Sequence, residues 1–317
     1  MKVYVKTPAR LHFGVLNPSG GTVRRFGGVG LSVKRIGFEL EVEKSKNLEI
    51  VGSEGQRDRV REIVEKFSQI YNIPSEVKIK ILESIPSHMG LGSTTQLTLA
   101  VCKALVTLFE KEISVIEIAR DMGRGERSGI GTYAFDNGGF IVEGGIGEDK
   151  FPPLILRYEF PENWRFVIAV PKTERGPIEE REAKYFEDLG NRENISKEIC
   201  YILMLKLIPA LKKGNISEFG EALLKIDENV GRAFSSKQEG LFKDRAVFKT
   251  RNFMHENGAY GVGQSSWGPT VYGLTENRNQ AVKLKNTVKN YLENVNLLGD
   301  VKIVEPDNRG AEIEKTY

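Results

Sequence analysis

The sequence predicts an α+β fold in two parts, and three patterns support this class. The first fifty residues are rich in alternating segments typical of β-strands. A glycine-bearing loop then leads into a long helix, over residues 93–109, that is apolar on nearly every face. Beyond residue 160, several helical segments precede a small group of strands, as in an α+β domain. We therefore predict an N-terminal domain over residues 1–160 and a C-terminal domain over residues 161–317.

The first domain is predicted to contain strands and, besides the apolar helix, two further helices. Alternation of apolar and polar residues indicates the strands, and apolar residues at helical spacing indicate a helix over residues 58–71. Ser114 is placed to cap a further helix over residues 114–122, with Glu117 at capping-box distance. The predicted strands of this domain are residues 3–6, 10–15, 28–33, 38–43, 48–51, 77–82, 140–143 and 154–158, and residues 166–170 are a predicted strand just beyond the boundary.

The second domain is predicted to begin with helices and to end with strands. The apolar face of the helix over residues 195–212 indicates either core packing or a dimer seam. The other predicted helices are residues 178–189, 216–234, 243–256 and 280–292, and the predicted strands are residues 271–274 and 301–304.

Composition excludes several broad classes of function. The 317 residues are 40% hydrophobic and 28% charged, and the formal net charge is only +3. Nothing global therefore favours nucleic acid or a membrane surface as a partner. The N-terminus has no apolar signal region, so we expect a cytoplasmic protein. Cys102 and Cys200 both lie in apolar helical patterns, and we expect buried free thiols rather than a disulfide or a metal site.

The loop before the apolar helix is the strongest candidate site. Gly90 and Gly92 allow close approach to the backbone, and hydroxyls follow where a helix N-cap is expected, on Ser93, Thr94 and Thr95. A helix N-terminus has unpaired amides and partial positive charge, which suit phosphate. The alternative is an ordinary capped loop, because neither a P-loop Gly-Lys-Ser/Thr nor a GxGxxG spacing is present.

Two further loops carry arginines among glycines. Arg24 and Arg25 lie in the loop over residues 17–28, and Arg127 lies in the loop over residues 123–133. A guanidinium offers a fork suited to phosphate or carboxylate, so these arginines are candidate anion clamps. Ordinary exposed charge and an ordinary loop are the alternatives.

The central loop resembles the phosphate-loop motif of the GHMP kinase superfamily. Pro86, Gly90, Leu91, Gly92 and Ser93 occupy the positions of its Pro-x-x-x-Gly-Leu-Gly-Ser pattern. Segments 7–14 and 261–272 resemble the other two superfamily motifs, in the same order. The resemblance implies a GHMP-kinase-like fold, with a ribosomal-S5-type N-terminal domain, a ferredoxin-like C-terminal domain and a site in the cleft between them.

Two positions depart from the kinase pattern. Many of these kinases have an aspartate in a pattern like Ser-Gly-x-Asp, whereas this chain has Ser128-Gly129-Ile130-Gly131. Asp136 is a candidate substitute if the loop shifts. Arg10 stands in place of the lysine of the first motif.

Four segments together resemble one branch, the β-ribofuranosylaminobenzene 5'-phosphate synthase family of archaeal methanopterin biosynthesis. They are Ala-Arg-Leu-His-Phe-Gly, Arg-Arg-Phe-Gly-Gly-Val-Gly, Arg-Ser-Gly-Ile-Gly-Thr-Tyr and Gly-Gln-Ser-Ser-Trp-Gly-Pro-Thr-Val-Tyr-Gly. The family condenses phosphoribosyl pyrophosphate with 4-hydroxybenzoate or 4-aminobenzoate, releasing carbon dioxide and pyrophosphate with the assistance of Mg²⁺. The resemblance also implies a homodimer. An ATP-dependent small-molecule kinase and a non-catalytic ligand-binding protein are the alternatives.

The resemblance implies roles for particular residues. Arg10, His12 and Arg127 are the candidate catalytic residues, with His12 tuning the para substituent of the acceptor or, alternatively, serving as a structural histidine. The central loop would hold the pyrophosphate, and the arginines would hold the 5'-phosphate and the benzoate carboxylate. The candidate phosphate- and substrate-binding residues are Arg24, Arg25, His88, Gly90, Leu91, Gly92, Ser93, Thr94, Thr95, Ser128, Gly129, Gly263, Gln264, Ser265, Ser266 and Gly268.

Overall fold

Two β-sheets with helices packed against them form the fold. The structure is a computed structural model that describes residues 1–19, 23–148, 150–172, 186, 189, 192–235 and 244–316. The strands are β1 (Lys2–Lys6), β2 (Ala9–Asn17), β3 (Phe26–Lys34), β4 (Glu39–Lys44), β5 (Glu49–Val51), β6 (Val77–Glu83), β7 (Phe140–Glu143), β8 (Leu154–Tyr158), β9 (Arg165–Val170), β10 (Val262–Gln264), β11 (Val271–Thr275), β12 (Asp300–Pro306) and β13 (Glu312–Thr316).

The helices alternate with these strands. They are α1 (Glu54–Tyr71), α2 (Ser93–Leu108), α3 (Val115–Asp121), α4 (Ile130–Asn137), α5 (Glu193–Ile202), α6 (Ile208–Lys213), α7 (Ile216–Phe234), α8 (Arg245–Glu256) and α9 (Arg278–Asn294). A π-helical turn, Leu203–Leu207, joins α5 to α6. Among the described residues, no helix combines the length and the apolar character needed to cross a membrane.

The first sheet belongs mainly to the N-terminal half. Its strand order is β13-β1-β4-β6-β5, and only the β5–β6 pair is parallel. The alternation that predicts β1 is visible in its packing, because Val3 and Val5 are buried whereas Lys6 is exposed. The C-terminal strand β13 returns to pair with β1, and the sequence analysis did not predict this strand.

The second sheet joins strands from both halves of the chain. Its order is β10-β11-β9-β12-β3-β7-β8, and β2 pairs with β3. The junction between the halves is short, with Glu305 of β12 opposite Lys34 of β3 and Pro306 opposite Val33. The boundary near residue 160 stays a prediction, although strands on either side of it share this sheet.

Helix α2 is a core element, as its sequence predicts. Leu99, Ala100, Val101 and Cys102 are all fully buried, and α2 packs beneath strands β1 and β4. Burial raises the pKa of the Cys102 thiol well above its ordinary value. The expectation for Cys200 was wrong, because this thiol is exposed on the outer side of α5.

The structure corrects the sequence analysis at three further places. Gly92, with φ +82°, is the N-cap of α2, so the hydroxyls that follow it lie inside the first turn and make no capping bond. Part of the predicted loop over residues 123–133 is helical, because α4 starts at Ile130. Helix α1 begins four residues early, where Ser53 and Gln56 form a capping box. The helix predicted over residues 178–189 falls almost entirely outside the described residues.

Candidate functional site

A cavity that is partly open to solvent lies beside strand β2 and helix α7. The lining of this cavity is chemically mixed, and it includes the carboxylate-bearing Asp227. The other polar lining residues are Arg10, His12, Arg127, Ser128, Gln264 and Ser266. The apolar lining residues include Phe13, Val15, Phe186, Val230, Phe234 and Trp267.

Arg10 connects this cavity to the central loop. Its backbone amide donates to the Leu91 carbonyl at 3.1 Å, and its Nη1 donates to the Gly90 carbonyl at 2.6 Å. The Arg10 stem also runs past the start of α2, since a Cβ built on Gly92 would lie 2.9 Å from the Arg10 Cγ. A guanidinium and a helix N-terminus are therefore close together, and both attract an anion.

The central loop packs directly on the loop that follows β10. Ser265 Oγ donates to the Gly90 carbonyl at 2.6 Å, and Thr270 Oγ1 donates to the Met89 carbonyl. A Cβ on Gly90 would lie 2.1 Å from the Ser265 carbonyl oxygen, and a Cβ on Gly268 would lie 2.1 Å from the backbone of Met89. Contact between two protein loops thus requires these glycines, whereas the sequence analysis assigned Gly90 to a ligand. Anion binding by this loop stays a prediction.

His12 is a buried, neutral residue of the cavity lining. Its backbone amide donates to Ser265 Oγ at 3.0 Å, and its Nε2 lies 3.2 Å from Ser128 Oγ. Burial, with a smaller contribution from the Arg10 charge, lowers the pKa of His12 to about 3. A neutral imidazole can hydrogen-bond to a substrate at neutral pH, but it is a weak base there.

Glu143 is a residue that the sequence analysis missed. It ends β7, is fully buried, and its Oε2 accepts a hydrogen bond from the Gly145 amide at 2.7 Å. A Cβ on Gly28 would lie 2.8 Å from Glu143 Oε1 and 3.3 Å from His12 Nε2, so only a glycine fits between them. Burial raises the pKa of Glu143 to about 7, while backbone amides and Ser128 act in the opposite direction.

Asp227 and Arg251 form a second buried group that the sequence analysis missed. Arg251 Nε donates to Asp227 Oδ2 at 2.7 Å, and the Gln264 amide donates to Oδ1 at 2.9 Å. Burial raises the pKa of Asp227 to about 6, although the Arg251 charge lowers it. The two residues lie in different helices, and nothing in their local sequence indicates that they meet.

Several predicted site residues lie away from the cavity lining. Arg24 donates from Nε and Nη2 to the Gly145 carbonyl, at 3.1 and 2.9 Å, and so ties its loop to the turn after β7. The Arg25 guanidinium lies 4.8 Å from the centroid of the Phe26 ring. His88 lies in the turn before α2 with φ +61°. An anion clamp formed by these arginines stays a prediction. The other predicted residues outside the lining are Gly90, Leu91, Gly92, Ser93, Thr94, Thr95, Gly129, Gly263, Ser265 and Gly268.

The position of the kinase aspartate is occupied by buried backbone. Gly131 lies in α4, where its carbonyl accepts a hydrogen bond from Gln96 Nε2 at 2.7 Å and a Cβ would contact Thr95. Asp136 is exposed and does not line the cavity, so it does not replace the missing carboxylate here. The physical reason is that residues five apart on a helix point to different sides.

Comparison with known proteins places this site in a recognised fold. The model of the GHMP kinases N terminal domain matches residues 58–141, and that of the GHMP kinases C terminal domain matches residues 207–294. The crystal structure of a homoserine kinase from Cytophaga hutchinsonii superposes with a TM-score of 0.71 at 18% identity, covering 99% of this chain and 97% of that one. The predicted GHMP-kinase-like fold is confirmed.

Two curated relatives extend the similarity along the chain. The β-ribofuranosylphenol 5'-phosphate synthase of Archaeoglobus fulgidus is 30% identical, covering 98% of this chain and 99% of the relative. The homoserine kinase of Pyrococcus horikoshii is 26% identical, covering 94% of each.

Proposed function

The chain belongs to the β-ribofuranosylphenol 5'-phosphate synthase family of the GHMP kinase superfamily, and from this membership we propose its reaction. The protein condenses phosphoribosyl pyrophosphate with 4-hydroxybenzoate and releases carbon dioxide and pyrophosphate. The relatives' name specifies a phenol product, which favours the hydroxyl over the amino acceptor. This step would serve methanopterin biosynthesis.

The mixed lining of the cavity is the observation that carries the proposal. Arg10 and Arg127 supply positive charge, while Phe186, Phe234 and Trp267 supply aromatic surface. A phosphorylated sugar donor needs cations, and a benzoate ring needs apolar contact and a partner for its carboxylate. One cavity therefore offers both kinds of surface to two substrates.

The chemistry requires anion stabilisation more than a strong base. As the bond between ribose C1 and pyrophosphate breaks, negative charge grows on the leaving group and positive charge grows on C1. Arg10 lines the cavity and lies close to the start of α2, and both would stabilise that leaving group. Holding the two substrates next to each other also removes much of the entropic cost of bringing them together.

In this proposal, Mg²⁺ binds together with the phosphorylated sugar donor. The described residues contain no group of three or more His, Cys, Asp or Glu side chains placed to hold a metal ion. They do not build a cage made of protein ligands alone, but Mg²⁺ in such sites commonly binds through substrate phosphates, water and one or two carboxylates. When bound, it would offset the charge of the diphosphate.

A kinase function is the weaker alternative. The similarity to homoserine kinases supports the shared fold, and fold alone does not determine function. The aspartate position of many such kinases is Gly131 in this chain, and its neighbourhood is filled by Thr95 and Gln96.

A single incubation separates the two functions. We expect the purified protein, given phosphoribosyl pyrophosphate, Mg²⁺ and carboxyl-labelled 4-hydroxybenzoate, to release labelled carbon dioxide and pyrophosphate in equal amounts. Omission of Mg²⁺ should lower the rate. Arg10→Gln should raise the KM for the donor. Absence of labelled carbon dioxide, together with ATP-dependent phosphorylation of an alcohol such as homoserine, would overturn the proposal.

The proposal includes a cytoplasmic homodimer. Three apolar side chains in and beside the π-helical turn are well exposed, namely Tyr201 (66%), Met204 (58%) and Leu205 (64%). Such exposure on one segment is typical of an interaction surface and supports the proposed dimer. Most of the apolar face considered in the sequence, including Ile199, Leu203 and Leu207, is instead buried as core. Sedimentation equilibrium measures the mass directly.

A further inference from the structure

One face of helix α7 combines a carboxylate with an apolar surface. Asp227, Val230, Gly231 and Phe234 all line the cavity. Their spacing of three, four and seven residues puts them on the same side of the helix. The distance from the first to the last is about 10 Å along the axis, at roughly 1.5 Å per residue. This face therefore presents an acid and an aromatic ring at opposite ends of a short apolar stretch.

Three aromatic rings meet at the apolar end. The Phe234 and Trp267 centroids are 4.5 Å apart, those of Phe186 and Phe234 are 5.2 Å apart, and those of Phe186 and Trp267 are 6.1 Å apart. All three pairs are edge-on, a favourable arrangement for aromatic rings, and all three residues line the cavity.

The Asp227 carboxylate is fixed in place and retains capacity to accept hydrogen bonds. Arg251 binds one oxygen and the Gln264 amide binds the other, whereas an ionised carboxylate has about four acceptor positions. Gly263 packs closely against this group, because a Cβ there would lie 2.9 Å from Asp227 Oδ1 and 2.2 Å from the buried Tyr272 hydroxyl. Asp227 also lines the cavity, so a donor group that enters the cavity can approach it.

We propose that this face of α7, with Trp267 and Phe186, is the acceptor subsite, and that Asp227 binds the para hydroxyl of the aromatic acceptor. The inference rests on the proposed function and deepens it by assigning a specificity residue. Asp227 selects a planar benzoate ring whose hydrogen-bond donor is para to the substrate carboxylate. The side chains of Phe186, Phe234 and Trp267 pack against that ring and fix its orientation.

Asp227 then takes part in the reaction as a proton acceptor and donor. The phenolic proton moves to Asp227 while the ring carbon that bears the carboxylate bonds to ribose C1, and pyrophosphate departs with the electron pair of the broken C–O bond. The carboxylate next leaves as carbon dioxide, and its bonding pair restores the aromatic ring. The proton returns from Asp227 to the phenolate oxygen, so the sequence needs no oxidant or reductant.

Binding measurements test the subsite without relying on turnover. The chain has two tryptophans, and Trp164 is buried away from the cavity lining, so Trp164→Phe leaves Trp267 as the reporter. We expect 4-hydroxybenzoate to quench Trp267 emission and to bind at least tenfold more tightly than benzoate, which lacks the donor. In Asp227→Asn this preference should fall about tenfold while benzoate binding stays unchanged, since a neutral acceptor makes a weaker hydrogen bond than a carboxylate. Calorimetry on the chain with both tryptophans gives the same comparison.

A matched variant and a kinetic measurement exclude a purely structural role. Asp307 is also a buried carboxylate that ties distant segments together, accepting from Ser32 Oγ at 2.9 Å, but it does not line the cavity. Asp307→Asn should keep the full preference for 4-hydroxybenzoate. In Asp227→Asn the kcat/KM for the acceptor should fall while the KM for phosphoribosyl pyrophosphate stays constant.

Failure of the subsite and failure of the proposed function give different results. Undiminished preference for 4-hydroxybenzoate in Asp227→Asn, or equal loss of affinity for donor and acceptor, would refute the subsite even if labelled carbon dioxide is released. Selective, Asp227-dependent binding of 4-hydroxybenzoate without release of carbon dioxide would support the subsite and refute the ribosyl transfer.

Discussion

The buried Glu143 carboxyl should make the stability of this fold depend on pH. Its pKa rises from an ordinary value of 4.5 to about 7 because burial disfavours the charged form. A group with a higher pKa in the folded state contributes stability that is complete below its unfolded pKa and is lost as pH rises through its folded pKa. This stability is therefore lost between pH 4.5 and about pH 7. At about 1.4 kcal/mol per tenfold change in proton affinity, the loss amounts to about 3 kcal/mol.

Glu143→Gln tests this value, because glutamine resembles the protonated acid and does not ionise. The variant should gain about 3 kcal/mol in unfolding free energy relative to the unaltered protein between pH 4.5 and pH values above 7. Urea unfolding at intervals across this range measures the difference. Glu62→Gln, on the exposed side of α1, reports the effect of removing one surface carboxylate. The reasoning would be refuted if the difference in unfolding free energy between the Glu143→Gln and unaltered proteins were the same at every pH. It would also be refuted if the advantage of the variant grew as the pH fell.

Two further predictions concern the loops of the site. Gly90→Ala should lower the unfolding free energy by about 3 kcal/mol or more, because its Cβ would lie 2.1 Å from the Ser265 carbonyl oxygen at φ +75°. Gly55→Ala, with nothing near its Cβ, should stabilise helix α1 by about 0.5–1 kcal/mol. Equal melting temperatures for the two variants would contradict this packing. The His12 ring proton resonance should stay constant from about pH 8 to about pH 5, because burial lowers its pKa to about 3, and an NMR midpoint near the ordinary value of 6.5 would show that the imidazole is solvated.

Elements set by neighbouring residues were predicted well. The alternation of β1 and the apolar run of β9 place these strands within one residue of their observed bounds. The capping box of Ser114 and Glu117 is present, with the Glu117 amide donating to Ser114 Oγ at 3.2 Å. Each signal involves residues a few positions apart, and such contacts form wherever the chain lies in the fold.

Elements that depend on distant contacts were missed. Helix α4 was interpreted as loop because its glycines weaken the helical pattern, yet burial of Ile130, Tyr133 and Phe135 stabilises it. Strand β13 lacks a buried face of its own and is held by pairing with β1. Tertiary packing therefore outweighed local propensity at both places.

By itself, the sequence determined the two-part α+β plan, the loop-to-helix junction before α2, and the set of motifs that identify the family. Those features reside in residue types at short, fixed spacings. Only the tertiary structure decided that Arg10 reaches Gly90, that Glu143 lies beside His12, and that Asp227 of α7 is bound by Arg251 of α8. The physical reason is that burial shifts the pKa of a carboxyl and brings distant side chains into contact, and burial is a property of the packed chain.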